Sequence, residues 1–480
     1  MSMTTLAQVQ AMLPGSSLLN VSAEAAKAVA LSRVGTDSRQ IDAGELFVAL
    51  SGERFDAHDF LVDVAKSGAG AALVSKAEKC PANLPGICVN DTRIGLGDLA
   101  KAWRTNYEIP LALVTGSNGK TTVKEMIASI FKAAVGEAHT LVTKGNLNNE
   151  IGLPLTLLKL RPTDRLAVVE LGMNHPGETA QLAAIAQANI ALINNAQREH
   201  QEFMATVAAV AEEHADVIRA LPANGIAVFP ADSEFTSVWR EAAGTRKVID
   251  FALLSAQVNT NALVSGRLLN NGLVEIMSHA GSIEVQLNTL GSHNVRNALA
   301  ATAVALAAGV AFEKIKQGLE SFTPVNGRMQ AKKIDPNHTL IDDSYNANPD
   351  SVRAAIDALK QSGNLSWLIL GDMGEVGNQG PEFHSEVGAY AAEQGVTKLF
   401  ALGEQCQFAI KGFEMAAKND SSSKAMHFSD MDSLVSQLRD SLHAQSTGSN
   451  QHLNILVKGS RFMRMERVVQ ALLEEAKTCS

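Results

Sequence analysis

The stretch LALVTGSNGKTT, residues 111–122, constrains the fold of this chain more than any other. Its apolar run Leu111–Val114 reads as a short buried strand. The text after Lys120, TTVKEMIASIFKAAV, has apolar residues at helical spacing and reads as a helix. A strand that passes through a glycine turn into a helix N-terminus makes an anion site, because the helix dipole and the free N–H groups of the first turn face the loop. Gly116 and Gly119 let the backbone approach an oxyanion with no Cβ in the way. Thr115, Gly116, Ser117, Asn118, Gly119, Lys120, Thr121 and Thr122 therefore read as a phosphate loop. Lys120 would reach the outer phosphates, and the Thr121 hydroxyl a magnesium ion. The usual pattern GxxxxGK[ST] would place a glycine where Val114 stands, so TGxxGKTT is a tighter variant. The alternative is a Gly-rich turn with a solvated lysine, which the strand-loop-helix context disfavours.

The same rhythm continues downstream. LALVTG, RLAVVELG, IALINN and GIAVFPAD are apolar runs separated by helical stretches, which predicts βαβ units and a doubly wound parallel sheet. Ligands of such a sheet sit at the strand C-terminal ends. Residues 253–290 turn β-rich and read as an antiparallel appendage, followed by the Ala-rich helix GSHNVRNALAATAVALAAG. A second α/β rhythm runs through HTLIDDSY, LSWLILGDMG, TKLFALGEQ and LNILVKGSR, each ending in a polar or glycine turn. Before residue 108 the text is one of short strands and turns. The expectation is an α/β chain of three domains, 1–108, 109–325 and 326–480, with a small α/β N-terminal domain, a central P-loop ATPase-like sheet and a Rossmann-like C-terminal domain.

With 480 residues, of which 46% are hydrophobic, the chain can bury several cores. The net charge is -9 and no basic run stands out, so nucleic acid and anionic membranes are poor partners. Cys80, Cys88, Cys406 and Cys479 are scattered without metal or disulfide spacing, which fits a reducing cytoplasm. The start MSMTTLAQVQAML lacks the basic residues and long apolar core of a signal peptide, and no stretch is long enough to span a bilayer.

Polar clusters mark the strand ends. Glu170 closes VVELGMN and is placed to hold Mg²⁺ or to cap a helix. His200 in INNAQREHQEF reads as a metal ligand or an ordinary loop histidine. Asn146, Asn148 and Asn149 in KGNLNNEIGLP form either a structural loop or a polar loop that binds substrate near the phosphates. In DDSYNANPDSV, Asp343 could accept from a ribose hydroxyl, whereas Asp350 and Ser351 read as helix caps. Arg328 of NGRM stands at the junction of the last two domains, either as a surface residue or as a cation that meets a γ-phosphate on closure.

In this order, TGSNGKTT, NLNNEIGLP, VVELGMN, GSHNVRNALAA, GRM, DDSYNANPDSV and LGDMGEVG…H resemble the Mur ligase family over nearly the whole chain. Within it, DSYNANPDS, LGDMGEVG and VKGSRFMRME are similar to the branch that adds D-alanyl-D-alanine to UDP-N-acetylmuramoyl-tripeptide. The resemblance implies a cytoplasmic, ATP- and Mg²⁺-dependent amide ligase acting as a monomer, with no nucleic acid partner and no membrane insertion. Its product would be the pentapeptide cell-wall precursor, with ADP and phosphate. By motif, it implies that Lys120 holds the β- and γ-phosphates and that Thr121, Glu170 and His200 serve metal. Asn294 and Asn297 would meet the adenine region, Arg328 the γ-phosphate and Asp343 the ribose. Asn346 and Asn348 would lie near the peptide ends, with Asn146, Asn148 and Asn149 also near substrate. Ser38 and Arg39 of TDSR would lie near the uridine diphosphate sugar. Lys120, Glu170, His200 and Arg328 form the expected catalytic set.

The chain departs from the family at His214. Many members carry there a lysine that reacts with CO₂ to give a carbamate near the second metal. A histidine cannot copy that charge, and between residues 145 and 246 the one lysine, Lys159, is out of register. The expectation is either that Glu212 or Glu213 takes over part of the role or that Glu170, His200 and the substrate phosphate hold the metal alone. NGR in place of the more usual PGR gives up a rigid turn but keeps the arginine. Two rivals stay in view: another amino-acid-adding muramyl or folylpolyglutamate-type ligase, and a nucleotide-switch protein that forms no bond.

Overall fold

Three large sheets organise the computed structural model, which describes residues 2–52, 55–199, 201–255, 258, 260–361, 363–417, 423–448 and 451–478. The central one has nine strands. In spatial order they are Gly281–Val285, Val274–Ser278, Val264–Leu268, Lys247–Leu253, Ile226–Pro230, Ile190–Ile193, Leu111–Thr115, Leu166–Glu170 and Thr140–Val142. Leu111–Thr115 comes first in the chain and lies between strands that follow it, parallel to both. The order reverses there, so a crevice opens beyond its carboxyl end. All five of its residues are buried, because helices cover both faces of the sheet.

One face packs on the helices Lys120–Val135 and Ser292–Ala307 through Val123, Ile127, Phe131, Leu299 and Val304. The small residues Ala298, Ala300, Ala301 and Ala303 let the second helix lie close. The β-rich stretch expected as an antiparallel appendage is the far edge of this sheet. Val264–Leu268 pairs parallel with Lys247–Leu253, and from there Val264–Leu268, Val274–Ser278 and Gly281–Val285 pair antiparallel in turn. Val264, Ile276 and Val285 bury their side chains in the same core, which keeps that edge attached.

The N-terminal sheet has five strands, ordered Ser17–Leu19, Gly86–Cys88, Ala71–Val74, Leu46–Val48 and Val34–Gly35. It shares a core with the other face of the central sheet. Leu96, Leu99 and Trp103 of the helix Thr92–Arg104 pack with Leu157, Leu182 and Ala186. The Trp103 indole N–H donates to the Leu160 carbonyl at 3.3 Å.

The C-terminal sheet runs Gln330–Lys333, His338–Asp343, Leu453–Lys458, Leu365–Gly371, Lys398–Leu402 and Lys424–Phe428, parallel except at its first strand. Among the described residues, its two cores draw on Met329 and later positions only. The connection after Phe322 has no regular structure until Gln330. Gly327 takes φ +72° there, a value that glycine adopts without strain.

Candidate functional site

A cavity of about 820 Å³ opens at the carboxyl end of Leu111–Thr115. The phosphate loop, the asparagine loop and Glu170 line it from the central sheet, and Arg328, Tyr345, Asn346, Asn348 and Lys458 from the C-terminal side. The phosphate loop is held from beneath by a ladder of buried asparagines. Asn194 donates to the Asn118 carbonyl at 2.8 Å and to Asn297 Oδ1 at 2.9 Å, and Asn297 donates to Asn294 Oδ1 at 3.0 Å. The Asn118 N–H donates to Asn195 Oδ1 at 2.8 Å. Gly119 sits on this ladder with φ +79°, and a Cβ there would lie 2.7 Å from Asn297 Oδ1 and 2.8 Å from Asn194 Nδ2. Asn294 and Asn297 thus buttress the loop rather than line the cavity.

Lys120 opens the helix behind the loop, and its ammonium donates to the Gly116 and Ser117 carbonyls and to Glu199 Oε2, the last at 3.3 Å. Thr121 and Asn148 converge on Glu170: Asn148 Nδ2 donates to Oε1 at 2.8 Å and the Thr121 hydroxyl at 3.4 Å. Glu170 Oε2 is buried with no hydrogen-bond partner among the described residues. A desolvated carboxylate oxygen beside a hydroxyl is a donor set that suits a hard divalent cation. Asn149 accepts from the Gly152 N–H at 2.9 Å at the start of the next helix, and both it and Asn146 line the cavity. His200 lies outside the described residues.

Arg328 stacks on the Tyr345 ring, 4.0 Å from guanidinium carbon to centroid, and its buried Nε has no partner among the described residues. Asp343 has both oxygens engaged, by the Met329 N–H at 3.1 Å and by Lys458 Nζ at 2.5 Å, and it lies behind the cavity wall. Lys458 also donates to the Asn346 carbonyl at 3.0 Å. Asn348 reaches across the cavity, its Nδ2 2.9 Å from Asn118 Oδ1. It also shares reciprocal bonds with Ser351, backbone N–H to side-chain oxygen each way at 3.0 and 2.8 Å, and so caps the helix Pro349–Gln361. Ser351 therefore belongs to a cap as expected. Asp350 does not: its carboxylate accepts from the Arg198 side chain and backbone. Ser38 and Arg39 lie in an N-terminal turn outside the cavity lining, with Arg39 paired to Asp37.

His214 is fully buried, its Nδ1 3.1 Å from the Thr115 hydroxyl and its Nε2 3.0 Å from Glu199 Oε1. Glu212 and Glu213 point elsewhere: Glu212 pairs with Arg219 and Glu213 accepts from the Gly177 and Thr179 N–H groups. The carboxylate that reaches His214 is Glu199, which sequence reasoning missed. Arg198 was missed as well. Its guanidinium bonds Asp350 at 2.6 Å and Glu386 at 2.7 Å, spanning from the central loop to two C-terminal helices. Hydrogen bonds that Arg198 donates to Glu386 and then to Asp350 raise its pKa against burial, and Arg198 and then Arg353 hold the Glu386 carboxyl below its ordinary range. The available signal was a charged pair in the loop that follows the strand Ile190–Ile193 at the switch point.

A second buried cluster, Asp372, His384 and Cys406, has its donor atoms within metal-binding reach. His384 Nε2 accepts from the Met373 N–H, its Nδ1 lies 2.7 Å from the Gly380 carbonyl, and Asp372 accepts from the Gln405 and Cys406 N–H groups. Burial pushes the Cys406 thiol well up and the His384 imidazole down. These groups fasten the LGDMGEVG turn to its sheet.

Comparison with known proteins agrees with this fold. Residues 30–104 match the model described as "Mur ligase family, catalytic domain", residues 114–305 the Mur ligase middle domain, and residues 327–461 the "Mur ligase, glutamate ligase domain". The UDP-N-acetylmuramoyl-tripeptide--D-alanyl-D-alanine ligase of Escherichia coli (strain K12) is 38% identical over 94% of this chain and 95% of its own. A crystal structure of MurF from Acinetobacter baumannii superposes with a TM-score of 0.87 at 33% identity, covering 98% of this chain and 99% of that one. The MurF ligase of Thermotoga maritima, solved in complex with ADP, gives 0.79 at 25% identity over 93% and 98%. With matches reaching from residue 30 to residue 461 and a relative of this identity spanning nearly both whole chains, the protein belongs to the Mur ligase family.

Proposed function

We propose that the protein joins D-alanyl-D-alanine to UDP-N-acetylmuramoyl-tripeptide at the expense of ATP, through an acyl phosphate. The observation that carries this reading is the convergence of Lys120, Glu170 and Arg328 on one polar cavity, the first two from the central sheet and its helix and the third from the connection into the C-terminal sheet. It takes the three sheets as three domains, 1–108, 109–325 and 326–480, that close on separate substrates.

A carboxylate is a poor acyl donor because its leaving group would be oxide. Transfer of the γ-phosphoryl group to the tripeptide carboxylate gives an acyl phosphate. The dipeptide amine then attacks, loses a proton, and phosphate leaves from the tetrahedral intermediate. The chain supplies position and countercharge for anions that repel one another. Lys120 and the loop N–H groups hold the outer phosphates. Arg328, kept flat by Tyr345, brings a second cation from the opposite wall. Thr121 and Glu170, with His200, would hold Mg²⁺, which the unpaired Glu170 oxygen supports. When bound, Mg²⁺ supplies charge that offsets the phosphates. Asn346 and Asn348 are assigned to the incoming dipeptide, Asn146 to the nucleotide-linked peptide, and Ser38 and Arg39 to the uridine diphosphate. Asp343 orients Lys458 and serves the ribose only if that pair opens.

Among the described residues no helix is long and apolar enough to cross a membrane. The free thiols Cys80, Cys88 and Cys406 support a reducing cytoplasm, and we assign a monomer. Phosphate release from ATP tests the reading. It should require UDP-N-acetylmuramoyl-tripeptide and rise strongly with D-alanyl-D-alanine. Release that ignores both overturns it in favour of a nucleotide switch, and release driven by another amino acid or by a folate favours the rival ligases.

A further inference from the structure

Arg198 and Glu199 are neighbours in the chain that grip different bodies. The Arg198 backbone N–H donates to Asp350 Oδ2 at 2.9 Å, and its guanidinium binds Asp350 and Glu386 on two C-terminal helices. Its guanidinium carbon also lies 5.1 Å from the centre of the Phe383 ring. Glu199 turns the other way. One oxygen is fixed by buried His214, which is itself fixed to Thr115 at the end of the central strand, and the other faces the Lys120 ammonium. Three acceptors surround that ammonium, the Gly116 and Ser117 carbonyls and Glu199. An ammonium has three donors. A phosphate entering the loop competes with these acceptors, and the Glu199 carboxylate, at 3.3 Å, is the one of the three that belongs to a side chain rather than to the loop backbone.

We propose that the Arg198–Glu199 pair couples docking of the C-terminal domain to the grip of the phosphate loop: docking, held by Arg198, sets Glu199 as a competitor with nucleotide phosphate for Lys120. The proposal rests on the nucleotide-binding reading above. Coupling of this kind is reciprocal, so a phosphate that wins Lys120 loosens the clamp by the same factor. A triphosphate is compensated by Arg328, which comes from the C-terminal side and reaches an outermost phosphate. A diphosphate has no such compensation. The docked state then disfavours ADP relative to ATP, which helps product leave.

The test is ADP affinity by calorimetry in a thermodynamic cycle on the full chain. Asp350→Asn breaks the clamp from the far side, and Glu199→Gln weakens the competitor while keeping its shape. Asp350→Asn should tighten ADP by about fivefold or more, the size of a typical coupling. In the Glu199→Gln background the same change should have less than about a twofold effect. Glu386→Gln, on the half-exposed second carboxylate, should repeat the result if Asp350→Asn fails to fold. Equal tightening in both backgrounds, or no tightening in the first, overturns the coupling. A wild-type protein that binds no ADP overturns both this and the functional reading. A protein that binds ADP with the expected cycle but makes no amide overturns only the latter.

Discussion

At the scale of single residues, the loop is built around charges that must be both fixed and available. Lys120→Ala removes a point charge at the moment charge moves onto the transferring group. We expect a fall in turnover of at least ~100-fold, as for one preorganised electrostatic contact. The unfolding midpoint should hold, since the Lys120 side chain supports no core cluster. Near-normal turnover in a folded variant would refute the assignment. Gly119→Ala acts differently: φ +79° and a Cβ 2.7 Å from Asn297 Oδ1 leave no relaxed position. Denaturant titration should show a loss of about 1–3 kcal/mol. At position 214, where the resemblance implies a carbamate-forming lysine in many family members, this chain has a histidine engaged at both ring nitrogens, and Glu199 supplies a carboxylate beside it. Phosphate release should therefore be the same in bicarbonate-stripped and bicarbonate-supplemented buffer. A clear rise with bicarbonate would mean that another lysine forms a carbamate.

At the scale of elements, the helix Pro349–Gln361 depends on Asn348 twice, as its cap and as the link to Asn118. Asn348→Ala should cost about 1 kcal/mol of stability through the cap. It should also raise the KM for ATP more than Ser351→Ala does, because only Asn348 touches the phosphate loop. Equal kinetic effects would reduce Asn348 to a cap. The alternation of apolar runs and helices was enough to read the doubly wound sheet, since period and strand length are local properties. Thr121, Glu170, Asn148 and Arg328 were legible as cavity residues because strand ends and domain junctions border the crevice, although Asp343 at another strand end lies behind its wall. The antiparallel pairing near residues 264–285 was legible, but its junction with the central sheet was not, because pairing of Phe251 with Val264 is set by packing on a helix that follows them in sequence. Asp350 looked like a cap and proved to be a clamp residue, because its partner lies 152 positions away. Glu199 was hidden by the histidine that follows it.

At the scale of the whole molecule, the C-terminal domain is held to the rest by polar groups while the first two share one core. Glu386 illustrates the consequence for pH. Its carboxyl is held below the ordinary value of 4.5, first by Arg198. A depressed carboxylate stabilises the docked state above its unpaired value and ceases to do so as pH falls through the lowered one. Small-angle scattering should therefore show a larger radius on acidification below about pH 4.5 while far-ultraviolet circular dichroism is kept. In Glu386→Gln the acid-induced expansion should shrink, and an unchanged profile would rule the pair out as its cause. The irregular connection that follows Phe322 has a further implication, for how the chain comes apart. Thr323 and Asn326 are exposed there, and the cores on either side share no cluster. A protease at low dose should cut once in this segment and leave two durable fragments. The larger would carry residues 1 to roughly 323 with its phosphate loop intact, and the smaller would stay attached through the contacts of Arg198 and Asn348, so that substrates bound across both should slow its release.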